Sequence, residues 1–238
     1  MFSLVPVLPK VLYFLFYLML GLSSPFYALI VSGRVHHDER IVGFTMGSMF
    51  LLQLLFAPFW GFIADVTGRP RLVICVLLVS SLSVRAVVFF LPSDVPWFVV
   101  PLLFVGSEAV FCGVVPVIDG LACQLLEGKP FGHQRLFGAI SWGLAAPMAG
   151  VFFAHVPWNL EACLLMTVIG SLFVVACLFF ASASTSSTDT RKDRVPFMTA
   201  LRQTKLSWQQ ICFFVVLVFA GFSSSSIGTF LFLFLDQG

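Results

Sequence analysis

Long apolar runs alternate with short polar breaks along this chain. Seven apolar segments stand at about 11–31, 41–63, 72–91, 97–120, 136–154, 161–182 and 211–235. Each holds roughly 20 residues, which is what an α-helix rising 1.5 Å per residue needs to cross a ~30 Å hydrocarbon core. A helix is also the only open-chain structure that satisfies its own backbone groups where water is absent. The pattern predicts an all-α, polytopic membrane protein. Pro25, Pro58, Pro101, Pro116 and Pro147 fall inside the segments, so kinks are expected at some of them.

The polar breaks divide the chain unequally. Six segments occupy residues 1–182. Residues 183–210 read as a cytosolic linker, holding most of the Ser/Thr-rich and charged run "ASASTSSTDTRKDR" (181–194) and a short surface helix in "VPFMTALRQTKLSW". Residues 211–238 hold the seventh segment.

Composition agrees with this pattern. Hydrophobic residues make up 59% of the 238 and charged residues only 10%, with 29 Phe. The placement of charge says more than the net value of +2. With a cytosolic N-terminus, the inner segments hold Lys10, Arg69, Arg71, Lys129, Arg135, Arg191, Lys192, Arg194, Arg202 and Lys205. The outer loops hold only Arg34 and Arg40. Such a bias orients a membrane protein with its N-terminus inside. A signal peptide over the first 24 residues is the alternative, but no small-x-small cleavage site follows. The six Cys are scattered without metal-ligand spacing and read as small hydrophobes. No basic patch interleaves with aromatics, so nucleic acid is not an expected partner.

Two polar breaks carry motifs. The first is "GFIADVTGRPR", residues 61–71, between segments two and three. Gly61 permits close helix approach and Gly68 a tight turn. Asp65 can cap a helix or pair with Arg69. An ordinary positively charged inner loop would look similar. The second is "PVIDGLACQLLEGKPFGHQRLFGAISWGLAAP", residues 116–147, which joins segments four and five. Arg135 and Trp142 are seven residues apart there, about two helical turns, so both face one side. Arg135 is either a cytosolic flank charge or a planar fork of donors for hydroxyls or a carboxylate. Trp142 is either packing or a stacking face. Ala139/Gly143, Ala145/Ala149 and Ala146/Gly150 are small-xxx-small pairs suited to close helix contact.

The first motif resembles the loop signature of the major facilitator superfamily at Gly61, Ala64, Asp65, Gly68, Arg69 and Arg71. The second resembles the branch of that superfamily's "associated domain" proteins, related to the lactose permease and the nucleoside–proton symporters. Pro116 and Asp119 match its P-x-x-D. Gly132, Arg135, Leu136, Gly138, Ile140 and Trp142 match the start of its fifth span, while Phe131, His133 and Phe137 replace Tyr, a basic residue and Trp. The resemblance implies the N-terminal six-helix bundle of such a transporter over 1–182, plus the first span of the second bundle over 211–238. It implies a conformational latch at Gly61, Asp65, Gly68, Arg69 and Arg71, and solute contacts at Arg135 and Trp142. Counting along the motif, the permease's partner carboxylate falls on Val117, with Asp119 two residues farther. Asp119 is taken as a third solute-binding residue, or as a gate that pairs with Arg135.

Ionisable groups inside the apolar segments are costly and turn toward partners or cavities. Glu108 and Asp119 are eleven residues apart, close to three turns, so one continuous helix would present both on one face. A desolvated Glu108 suits proton coupling; a paired Glu108 would serve packing. Arg85 either snorkels to the outer surface or pairs with Glu108. Ser223 to Ser226 bond backbone carbonyls or line a cavity.

The expected function is secondary transport of a small polar or organic solute by alternating access, with proton coupling as an option. The expected partners are the lipid bilayer, the solute, protons, and the missing second bundle or a full-length transporter. The plasma membrane is the default location. A non-transporting short isoform or membrane regulator is the runner-up. A seven-helix receptor fits less well, because its N-terminus would lie outside. No enzymatic activity is expected, and the resemblance implies no metal or other cofactor.

Overall fold

The computed structural model describes residues 7–35, 38–92, 95–126, 131–155, 162–184 and 207–223, except 214, 217 and 222. Most of the expected linker lies outside the described residues, as do Ser224, Ser225, Ser226, the end of the seventh segment and six of the ten inner cationic residues. The chain forms two compact units, 1–184 and 185–238. In the second, the described part of the seventh segment is an apolar helix at Trp208–Gly221.

The first unit is all-helical among its described residues. Segment one is α1 (Leu8–Ser23), a single 3-10 turn (Ser24–Phe26) and α2 (Tyr27–Arg34). Pro25 sits in that turn, where its missing N–H and its ring disrupt the α ladder. Segment two is α3 (Glu39–Thr67). Its start is set by Asp38, which accepts from the Arg40 backbone N–H at 3.0 Å. It ends on Gly68, the described glycine at positive φ (65°), whose N–H returns to the Ala64 carbonyl. Segment three is α4 (Pro70–Phe90), opened by a proline in its first turn.

Segment four is not one helix. It divides into α5 (Val99–Phe111) and α6 (Val114–Leu126), with a break at Cys112 and Gly113. The Trp60 indole fills the break. Its Nε1 donates to the Ala109 carbonyl at 2.8 Å, and its side chain lies so close that a Cβ on Gly113 would collide with it. Segments five and six are α7 (Gly132–His155) and α8 (Ala162–Ser184). Among the described residues, four helical stretches are long and apolar enough to cross a membrane: Leu8–Arg34, Glu39–Thr67, Pro70–Val88 and Val99–Leu126.

The centre of the unit is where α1 lies along α7 and α8, with α4 and α6 closing the other side. Leu12, Phe16, Met19, Ile74, Leu77, Ile118 and Leu178 fill it. Large apolar side chains also face outward, including Phe44, Leu54, Leu55, Phe59 and Phe62 of α3. Lipid tails impose no penalty on such a surface. Of the small pairs expected in segment five, Ala145/Ala149 is the one buried against a neighbour, while Ala139 and Gly143 are exposed. Gly21 of α1 meets Ala145 so closely that an added Cβ would stand 2.7 Å from the alanine methyl. Gly61 does not have the close-approach role expected of it, since a Cβ there meets nothing within 4 Å.

Gly21→Ala should therefore destabilise the α1–α7 contact by about 1–3 kcal/mol through overpacking. Gly120→Ala, where the added methyl meets nothing within 4 Å, is the control and should be neutral or slightly stabilising, since alanine favours a helix interior. Thermal denaturation of the two detergent-solubilised variants compares them directly. Equal melting temperatures would contradict the tight contact.

Candidate functional site

Arg135 stands in the first turn of α7, next to the α6–α7 connection. Asp119 stands in the middle of α6. Their closest approach, Nη1 to Oδ2, is 3.9 Å, with the Arg135 side chain 53% and the Asp119 side chain 26% exposed. A direct N–H···O bond needs about 2.7–3.2 Å, so the charges face each other across a gap. Val117, where the motif count put the partner carboxylate, is buried in the core instead. Two residues along a helix is a turn of about 200°, so one position faces the core and the other faces Arg135.

Asp119 has a closer partner. The Tyr13 hydroxyl of α1 donates to Asp119 Oδ1 at 2.6 Å. Tyr13 is fully buried. Its ring stacks on Tyr17 (centroids 6.3 Å, 22°) and takes Phe131 edge-on (6.2 Å, 80°). A short hydrogen bond to a charged acceptor contributes about 1.5–3 kcal/mol, whereas a half-exposed ion pair contributes about 0–1 kcal/mol. Asp119 is therefore held mainly by Tyr13. Tyr17 continues the row of rings to Trp142 (6.3 Å, 71°), whose indole is 40% exposed. Gly138 makes room for this row, because a Cβ there would stand 2.6 Å from the Tyr17 ring. Arg135, Asp119 and Trp142 thus belong to one cluster, walled by α1.

Glu108 does not join it. The break at Cys112–Gly113 interrupts the continuous helix that would have placed Glu108 and Asp119 on one face. Glu108 Oε2 instead pairs with Arg85 Nη2, and Oε1 accepts from Gln53 Nε2 at 2.6 Å. Arg85 also donates to the Tyr27 hydroxyl at 2.7 Å and to Ser107 Oγ at 3.0 Å. Its guanidinium carbon lies 4.5 Å from the Phe111 ring centroid and 5.0 Å from that of Tyr27. Arg85 is 1% exposed, so it does not snorkel. Glu108 is the paired carboxylate of the sequence alternatives, not a solitary desolvated one.

Gly68, Arg69 and Arg71 form the α3–α4 corner. Asp65 lies exposed in the last turn of α3, where it caps no helix start. The helix dipole disfavours a carboxylate at that end.

Sequence reasoning missed Tyr13, Tyr17, Tyr27 and Gln53. One signal could have found the first three. The chain has 29 Phe but only 3 Tyr, all in segment one, so each hydroxyl departs from a strong preference for the apolar ring.

The family model described as "MFS_1 like family" matches residues 8–238. The chain belongs to that family. It is 28% identical to the raffinose permease of Escherichia coli over 191 residues, covering 74% of this chain and 42% of the relative. It is 26% identical to the maltose permease of Geobacillus stearothermophilus over 147 residues (60% and 36%). It is 25% identical to the lactose permease of Citrobacter freundii over 143 residues (56% and 34%). The chain spans less than half the length of these three relatives.

The Arg85 cluster generates a stability prediction. Removing one member of a buried pair leaves the other charge uncompensated, at about 3–5 kcal/mol. Arg85→Met and Glu108→Met should each collapse the yield of folded protein, while the double variant should recover part of it. Size-exclusion profiles in detergent report the outcome; additive losses in the double variant would contradict mutual compensation.

Proposed function

We propose that this chain forms part of a secondary transporter for a small polyhydroxylated solute, working by alternating access. Residues 1–182 serve as its N-terminal six-helix bundle, 183–210 as the cytosolic linker and 211–238 as the first span of the second bundle. The observation that carries the reading is the open Arg135–Asp119 pair. A hydroxyl that accepts from one group and donates to the other, through two bonds of about 2.8 Å at its near-tetrahedral angle, spans about 4.5 Å, so the pair needs only a small further opening to take one. The pair stands 3.9 Å apart. The exposed Trp142 indole, two turns along α7 from Arg135, offers a face for the apolar side of a sugar ring. The relatives named as permeases of raffinose, maltose and lactose support this solute class.

Arg135→Lys keeps a charge but loses the fork. In the full-length transporter it should weaken binding of labelled raffinose, maltose or lactose by roughly tenfold or more. Wild-type binding of whichever sugar the native protein takes up would remove Arg135 from the site, and failure to take up any of the three would count against this solute class.

Two finer assignments belong to the same proposal. The loop residues Gly61, Asp65, Gly68, Arg69 and Arg71 act as the latch between conformations, on the cytosolic side that the charge bias of the loops supports. Asp65→Asn relieves an unfavourable dipole contact of about 0.3–1 kcal/mol. It should raise thermal stability slightly while slowing uptake, and a selective loss of sugar affinity would contradict the latch. Glu108 serves proton coupling by exchanging its Arg85 partner for a proton. The neutral pair Arg85→Gln with Glu108→Gln avoids an orphaned charge and should flatten the pH dependence of uptake. A wild-type pH profile in that variant would exclude Glu108 from coupling.

A further inference from the structure

We infer that Tyr13 is a positioning residue that holds Asp119 off Arg135, keeping the pair open to a solute hydroxyl. The inference rests on the proposed solute site and adds the element that keeps it ready.

Three observations carry it. Opposite charges at 3.9 Å would be expected to close to contact unless something else holds one of them. Tyr13 holds the carboxylate, because its hydroxyl occupies Asp119 Oδ1 at 2.6 Å, within the range of a charge-assisted O–H···O bond, while the Tyr17 side chain of the same helix engages Arg135. The hydroxyl itself is hard to move. Tyr13 is fully buried, with its ring fixed between Tyr17 and Phe131, and α1 is packed along α7. The arrangement is therefore a tug between a fixed donor on α1 and a half-exposed cation on α7, with the carboxylate of α6 between them.

A closed pair would present little to a solute, since each charge would satisfy the other. A pair held open presents a donor and an acceptor at once. Tyr13 thus raises affinity without touching the solute, and any motion that draws α1 away from α6 would release Asp119 onto Arg135 and discharge the site. That links affinity to the position of one helix.

The test reads Arg135 directly and uses no sugar, so its failure is separable from failure of the solute assignment. The full chain in membranes is treated with phenylglyoxal, and modification at Arg135 is followed by mass spectrometry. Tyr13→Phe keeps the ring and removes the donor. Asp119 should then close on Arg135 and slow its modification by about two- to fivefold. Asp119→Asn should speed the modification, and Tyr13→Phe with Asp119→Asn should match Asp119→Asn alone. Buried Arg85 should stay unmodified throughout, which reports that each variant is folded. Asp119→Glu reaches one methylene farther with α1 untouched and should also slow Arg135. A Tyr13→Phe rate at or above wild type, with Arg85 protected, overturns the proposal. Should Tyr13→Phe expose Arg85, an Asp119→Glu rate at or above wild type overturns it instead.

Discussion

Burying Arg85 in an apolar helix bundle imposes the strictest demand in this molecule. A guanidinium has five N–H donors and a charge it cannot shed, and lipid offers it no water. The surroundings answer that demand with groups from three other segments: Tyr27 of α2, Gln53 of α3 acting through Glu108, and Ser107 and Glu108 of α5. Phe111 and Tyr27 cover the guanidinium with their rings. Few alternative packings of these helices could satisfy one arginine so fully. The cluster therefore specifies an arrangement, beyond whatever it contributes to stability.

The helix breaks make that arrangement possible. Tyr27 begins α2 immediately after the 3-10 turn at Pro25, and Glu108 lies in the last turn of α5 before the break at Gly113. Past its break, the second half of segment four still packs on α3 and α4 but also meets α1. In segment four the result is a division of labour, with Glu108 facing α4 on one side of the break and Asp119 facing α1 and α7 on the other. A continuous helix would have given both carboxylates one face. The two polar clusters differ accordingly. The Arg85 cluster is closed and internally satisfied. The Arg135 cluster is half-exposed and left open, which suits an exchangeable ligand.

Much of the fold was legible from local pattern. Apolar runs of membrane-spanning length became helices, because in hydrocarbon no other open-chain backbone is satisfied. The α3–α4 corner was legible too. Gly68 can adopt positive φ without a Cβ clash, and Pro70 both tolerates and favours a first helical turn. Motif and spacing also singled out Arg135, Asp119 and Trp142, which the fold brings into one cluster. The split of segment four was not legible, because Gly113 and Pro116 resemble other tolerated membrane breaks until Trp60 arrives from α3 to fill the gap.

By itself, then, the sequence determined which stretches are helical, where several of them start and stop, and which rare polar residues must be accommodated. Those features follow from chain-local physics: hydrophobic length, proline and glycine geometry, and capping. Partnership was decided only by the tertiary structure. Whether Arg85 snorkels or pairs, whether Asp119 or Val117 faces Arg135, and whether three tyrosines are more than apolar rings all depend on which helix lies opposite. Facing is set by the packing of residues tens of positions apart, such as Tyr13 against Asp119, and spacing along one helix carries no record of it.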